Sequence, residues 1–372
     1  MTRGFAGRRG FDADVLIAGG GPIGLATALE LHARGLTAVV LEPRAGTIDK
    51  ACGEGLMPGA LAALGRLGVD PAGHPLRGIR FQDARRAVTH RYRSAAGRGV
   101  RRTVLHDALR ARTAELGVET RHERVKGIEQ HDDHVMVNGM RARWLIGADG
   151  LHSTVREVAG LDRPARTTLR SPEHDSPPTP SDSPRTLTRD GRRFGLRQHF
   201  AVAPWSDLVE VTYLAEAELY VTPVDDNTVG VAVLAPRPLD LAGAIALAPE
   251  LKERLAGVDE VSTLRGAGAL RQRTRARTAG RVALVGDASG YVDALTGEGL
   301  RVGLAQAEVL ADCLAAGSLA GYERAWARST RDFRVLTAGL LAAATSPARG
   351  LIVPAAAALP RVFGAVIERL AR

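Results

Sequence analysis

Apolar positions in the first forty residues form three blocks. Asp14 to Ala18 is a short apolar run that ends on Gly19-Gly20-Gly21, a helical pattern extends from Pro22 to Arg34, and a second apolar run follows from Thr37 to Leu41. Strand, glycine turn, helix and strand in that order predict a βαβ unit with parallel strands. Arg101 to Gly117 reads as a further helix, with Leu105, Leu109 and Leu116 at helical spacing. Short alternating strands are predicted over Val118 to Glu129 and Val135 to Arg143, joined by His131-Asp132-Asp133-His134, and Trp144 to Ala148 reads as a buried strand. Residues 163–193 break the pattern. They hold Pro164, Pro172, Pro177, Pro178, Pro180 and Pro184 among serines, threonines and charges, a composition that predicts a protease-sensitive flexible loop. Strand-like alternation returns from Phe194 to Leu234, with turn signals at Ala203-Pro204 and Asp225-Asp226-Asn227. A basic tract, Arg271 to Arg281, precedes a strand at Val282 to Val285 and a helix from Gly299 to Leu314. From Phe333 the tail is apolar and helical, broken by Pro347, Pro354 and Pro360. No internal repeat is present.

A length of 372 residues suits two modest domains, and 45% hydrophobic with 24% charged residues is a globular composition. The net charge of +9 rests on arginine, since Lys50, Lys126 and Lys252 are the lysines of the chain. The arginines are spread along the whole sequence, so no nucleic-acid partner is expected. Arg271–Arg281 is read as a solvated loop, with a grip on coenzyme phosphates or an acidic substrate as the sharper alternative. Cys52 and Cys313 are far apart and their count excludes a disulfide framework, which points to a reducing, cytoplasmic setting. Residues 1–11 are basic without the apolar core of a signal peptide, and no apolar run is long enough to span a membrane. A soluble protein is expected, with peripheral membrane contact left open. His131–His134 is expected to be a polar hairpin loop rather than a metal site, and Cys313 to be core packing.

The strongest chemical signal is Gly19-Gly20-Gly21-Pro22-Ile23-Gly24, in which Gly19, Gly21 and Gly24 fill the G-x-G-x-x-G positions. Gly19 permits the tight turn, Gly21 lets a pyrophosphate approach the backbone, and Gly24 permits close helix–strand packing. The helix that starts at Pro22 then offers unpaired N–H groups to phosphates. Glu42, 21 residues after Gly21 at the end of the second strand, is placed to hold ribose hydroxyls.

Later motifs decide which dinucleotide is bound. Gly147-Ala148-Asp149-Gly150 with Ser153 and Arg156 resembles the second fingerprint of the p-hydroxybenzoate hydroxylase-type flavoprotein superfamily. Gly286-Asp287-Ala288-Ser289-Gly290 resembles its third, in which the aspartate binds the ribitol of FAD, and Arg102 with Leu105 and Leu109 is similar to its cofactor-contacting helix. The resemblance covers Asp14 to about Leu314. It implies an FAD site of Gly19, Gly21, Pro22, Gly24, Glu42, Arg44, Arg102, Val125, Asp149, Gly150, Asp287, Gly297, Gly299 and Leu300, no metal, and NAD(P)H as electron donor. Two features resemble the geranylgeranyl reductase branch. Cys52-Gly53-Glu54-Gly55-Leu56 corresponds to a cysteine near the flavin, which makes Cys52 and Glu54 catalytic candidates. Asp293-Ala294-Leu295-Thr296-Gly297-Glu298-Gly299-Leu300 would turn a helix N-terminus toward the flavin pyrimidine end. Tyr220-Val221-Thr222-Pro223 corresponds to a substrate-lining strand, with Tyr220 and Pro223 as pocket candidates, although the expected tryptophan and phenylalanine are absent.

The expected fold is α/β, a Rossmann-type FAD-binding domain (residues 12–65, 96–162 and 275–330) with a β-rich substrate domain (66–95 and 194–274) and C-terminal helices (331–372). The leading expectation is an oxidoreductase that reduces a carbon–carbon double bond of an apolar isoprenoid or polyketide-type substrate. The alternative is an NAD(P)H-driven monooxygenase of an aromatic or polyketide substrate. A halogenase ranks third, because the tryptophan-flanked motif of that group and its lysine have no match. A non-catalytic flavin-binding protein ranks last.

Overall fold

The computed structural model describes residues 10–163, 193–236, 239–268, 270–297 and 299–372. The proline-rich loop expected at 163–193 falls almost entirely outside the described residues.

The apolar runs build a parallel sheet in the order Val282–Leu284, Met140–Gly147, Ala13–Ala18, Ala38–Leu41, Glu119–Arg121. Val15, Leu16, Ile17, Val40, Leu145, Ile146 and Val282 are completely buried, as expected for strands covered on both faces. The helices Pro22–Ala33 and Gly299–Ala315 pack against one another. The core there includes Ala28, Leu31, Ala307 and Leu310, and the helix Tyr322–Ala344 adds Tyr322 and Trp326 to it.

A second sheet runs Arg265–Ala267, Phe194–Phe200, Thr228–Ala235, Glu218–Asp225, Leu208–Tyr213, Gly78–Gln82, Ala87–Arg91. It is antiparallel except where Leu208–Tyr213 lies parallel to Gly78–Gln82. Between the two sheets, Gly55–Leu56, Gly97–Gly99 and His74–Leu76 form a small third sheet. The C-terminal helices Ile352–Ala358 and Pro360–Ala371 form a roof on the second sheet, where Phe363 packs on Phe81 at 5.0 Å between ring centroids. The architecture is thus α/β, with two large sheets and C-terminal helices.

The run read as one strand over Val135 to Arg143 is a hairpin. Val135–Val137 pairs antiparallel with Met140–Gly147, and Asn138 (φ 51°) and Gly139 (φ 80°) take left-handed conformations at the turn, as an Asn-Gly turn favours. The run Val118 to Glu129 shrinks to Glu119–Arg121 and the two-residue strand Glu129–Gln130. Pro347 and Pro360 open helical segments, and Pro354 sits in the first turn of Ile352–Ala358, where a missing N–H costs nothing. The helices Pro58–Arg66, Leu241–Ala246 and Pro249–Arg254 had no forecast. Among the described residues no single helix is long and apolar enough to cross a membrane.

Candidate active site

The glycine turn is held from both sides at Gly20. Its N–H donates to Glu42 Oε2 at 2.9 Å, and its carbonyl lies 2.9 Å from His106 Nε2. Ile48 N donates to His106 Nδ1 at 3.2 Å, so Nδ1 is the acceptor and Nε2 carries the proton. The ring is neutral. Burial, opposed by the bond to Gly20 and reinforced by Arg102, lowers the His106 pKa from its ordinary 6.5. The unfolded chain therefore takes up a proton first as pH falls, and stability present above pH 6.5 is lost on acidification. Holoprotein should melt at progressively lower temperature below that pH, and His106→Gln should flatten the dependence. An unchanged slope in the variant would remove His106 from this role.

The three motif glycines differ in what they accommodate. A Cβ at Gly19 (φ 105°) would lie 2.6 Å from the Ala148 carbonyl oxygen, and one at Gly24 would lie 1.9 Å from that of Gly19. A Cβ at Gly21 would meet no protein atom within 4 Å. The space over Gly21, which also borders Pro22, belongs to a cavity of about 910 Å³ that runs on to Asp149, Gly150, Asp287, Gly297, Gly299 and Leu300.

Unmatched polar groups mark the cofactor end of this cavity. Asp149 Oδ2 accepts from Val155 N at 3.1 Å, but its Oδ1 and Arg102 Nε are buried without a hydrogen-bond partner. Asp287 stands at the wall, where burial raises its pKa against the pull of Lys50 and Arg102. Lys50, which sequence reasoning passed over, faces the same space. Burial first, then Arg44 and Arg102, depress its pKa. Free donors, free acceptors and an open glycine face fit FAD, for which Asp287 could hold ribityl hydroxyls and Arg102 and Lys50 phosphate oxygens. Glu42 is bound by Arg44, with Nε 2.7 Å from Oε1, as well as by Gly20. Val125 is buried in the core under the first sheet.

The loop that carries Cys52 is tied to the second sheet at several points. Glu54 adopts φ 60°, a left-handed conformation uncommon outside glycine. Its Oε1 accepts from Arg102 N at 2.8 Å and its Oε2 lies 2.6 Å from His199 Nε2. Gly53 O accepts from Thr222 Oγ1 at 2.9 Å, and buried Arg197 pairs with Asp49. Cys52, Gly53 and Gly55 line the cavity, whereas Glu54 is turned into the ion-pair network behind it. Glu54 thus positions Cys52 and does not face the chamber. Arg197 and His199 entered no forecast, because their partners lie about 145 residues away in sequence.

Beyond the cofactor end the cavity becomes an apolar chamber. The sheets supply Ile79, Phe81, Val211 and Tyr220, and the C-terminal helices supply Leu340, Ile352, Phe363 and Ile367. The Tyr220 hydroxyl donates to Leu295 O at 2.9 Å, which ties the sheet to the loop before Gly299. Pro223 does not reach the chamber, and its carbonyl packs against Gly99 instead. Residues three apart on a strand face opposite sides, so Tyr220 and Pro223 cannot both line one pocket. His131 and His134 stack at 4.3 Å in the hairpin loop, and no metal-ligand cluster occurs among the described residues. Cys313 is partly buried against the helix core.

Solved structures share this architecture. A flavoprotein/dehydrogenase from Cytophaga hutchinsonii superposes with a TM-score of 0.76 at 16% identity, covering 96% of this chain and 92% of its own. The flavin-dependent brominase Bmp2 gives 0.77 at 16%, covering 96% and 93%. By sequence, para-nitrophenol 4-monooxygenase of Pseudomonas sp. is 32% identical over 40% of this chain and 42% of its own length. Rifampicin monooxygenase of Streptomyces venezuelae is 30% identical over 41% of this chain, which spans 34% of that relative. Menaquinone reductase of Mycolicibacterium smegmatis is 27% identical over 84% of this chain and 79% of its own. The family model for the FAD binding domain matches residues 12–323. With that match lying over the glycine turn, Asp149 and Asp287, the chain belongs to the FAD-binding domain family.

Proposed function

We propose that this protein is an FAD-dependent oxidoreductase, an NAD(P)H-driven monooxygenase that hydroxylates an apolar aromatic or polyketide-type substrate. The observation that carries this reading is the chamber. Among the described residues its only carboxylates are Asp149 and Asp287 at the cofactor end, and its far walls are hydrocarbon. Such a space excludes water from the reacting atoms and recognises substrate by burial. Val335, Leu359 and Val362 stand exposed at the same cavity and form an apolar entrance. Each methylene buried there contributes about 0.8 kcal/mol, so KM should fall about fourfold per added carbon until the chamber is full. Names among the relatives support oxygen transfer, para-nitrophenol 4-monooxygenase and rifampicin monooxygenase among them.

In that reaction NAD(P)H supplies a hydride, one atom of O₂ enters the substrate, and the other leaves as water. FAD supplies the redox chemistry, while this chain orients it and keeps the chamber dry.

A second reading, reduction of a carbon–carbon double bond, draws on Cys52 at the chamber wall and on the length of the match to menaquinone reductase. Turnover under ¹⁸O₂ separates the two. The monooxygenase incorporates one labelled atom per NAD(P)H oxidised and has no multiple turnover without oxygen. Sustained anaerobic hydrogenation of substrate, with Cys52→Ala retaining FAD but losing turnover, would replace it by the reductase.

A further inference from the structure

The arginine tract, read from sequence as a solvated loop, forms the wall of a second cavity. That cavity, of about 870 Å³, lies between the tract and the helix Tyr322–Ala344. Arg271, Arg273 and Arg277 line it from one side, and Arg331 and Arg334 from the other. Trp326 stands among them, with the Arg277 guanidinium 3.9 Å and that of Arg334 5.0 Å from its ring centre. Among the described residues, the only carboxylate in ion-pair contact with these five is Glu323, 3.6 Å from Arg277. Arg277 Nε is buried with no hydrogen-bond partner.

Arg273 repels Arg271 and Arg334 repels Arg277 across this lining, and burial makes the repulsion stronger. Burial, together with Arg334, draws the Arg277 pKa down despite Glu323. A ligand carrying several negative charges relieves that repulsion, and guanidinium forks match phosphate oxygens in pairs. The cavity also reaches the redox site, since Gly286, Asp287, Tyr291 and Gly299 line both it and the FAD cavity. A ligand whose phosphates met these arginines would have its other end at the wall the two cavities share.

We propose that this cavity docks the phosphates of NADPH, including the 2′-phosphate, which sets NADPH above NADH as the reductant. The proposal rests on the reading that a nicotinamide coenzyme supplies the electrons, which the monooxygenase and the reductase share.

Arg273 and Arg334 are exposed, so Arg273→Gln/Arg334→Gln removes charge without opening the core. The probe is adenosine 2′,5′-bisphosphate, titrated calorimetrically into FAD-loaded enzyme. Arg324→Gln/Arg328→Gln, on the same helix but outside the cavity, controls for net charge. The cavity variant should bind the probe at least about tenfold more weakly, with KM for NADPH raised similarly, KM for NADH raised less and FAD content intact. The control should stay close to the parent. Equal affinity in parent and cavity variant, or an equal loss in the control, overturns the proposal. If neither coenzyme reduces the flavin, the reductant reading fails. Arginine-dependent binding of the probe in that case would leave a phosphate site and overturn its assignment to NADPH.

Discussion

Gly21→Val should give a folded protein that loses its FAD on purification. A Cβ at Gly21 would meet no other protein atom within 4 Å, so a side chain can start there without a clash in the chain itself. The apoprotein should melt within about 2 °C of the parent apoprotein, as substitutions away from packed contacts do. The pyrophosphate must approach that same backbone, and misfit of a branched side chain costs about 1–3 kcal/mol. Affinity should therefore fall by about a hundredfold, leaving the purified protein colourless. Gly24→Ala should behave oppositely, because its Cβ would sit 1.9 Å from the Gly19 carbonyl oxygen and the turn itself must break. Flavin absorbance and thermal melts of the two variants, read side by side, test the assignment. A yellow Gly21→Val protein, or one whose apo form is badly destabilised, would count against it.

Loss of Glu218 should produce the largest stability change of any single acidic residue outside the cofactor end. Its carboxylate is fully buried and pairs with Arg193 on one side and with Arg349, at 2.6 Å, on the other. Arg193 also holds Asp293 at 2.9 Å, and Asp293 Oδ1 accepts from Leu295 N at 2.9 Å. The chain of contacts joins the C-terminal roof, through Arg349, to the loop before Gly299. Removing one member of a buried ion network leaves an uncompensated charge and costs about 3–5 kcal/mol. Glu218→Ala should therefore lower the denaturant midpoint by that equivalent and weaken FAD retention as the loop loosens. Glu218→Gln keeps the shape but not the charge and should fall between. A Glu218→Ala variant within 1 kcal/mol of the parent, to order of magnitude, would mean that Arg193 and Arg349 find other partners.

Signals that are local in the chain were legible. The glycine turn, Glu42 at the next strand end, Asp149 and Asp287 each sit within a few residues of the motif that betrays them, and the structure gathers their elements around one cleft. Asn138-Gly139 was equally local, and the hairpin there was missed because the flanking apolar alternation was read as one strand. The remaining site residues lie far from their partners. His106 reaches Gly20 across 86 residues and His199 reaches Glu54 across 145. Neither carries a short-range pattern. Lys50 was passed over for a similar reason, since only the fold brings it beside Arg102 and Asp287. Pro223 was assigned by strand position alone, without the two-residue alternation that turns it away from Tyr220.

The helical roof gives the molecule an uneven capacity for evolutionary change. The family match ends at residue 323, while Leu340, Ile352, Phe363 and Ile367, all later in the chain, shape the chamber's far wall. One contiguous stretch of the chain therefore supplies a whole wall of the chamber, and the glycine turn, Asp149 and Asp287 lie outside it. After duplication, a copy can acquire a new substrate by recombination or drift in that stretch alone, inheriting its redox machinery intact.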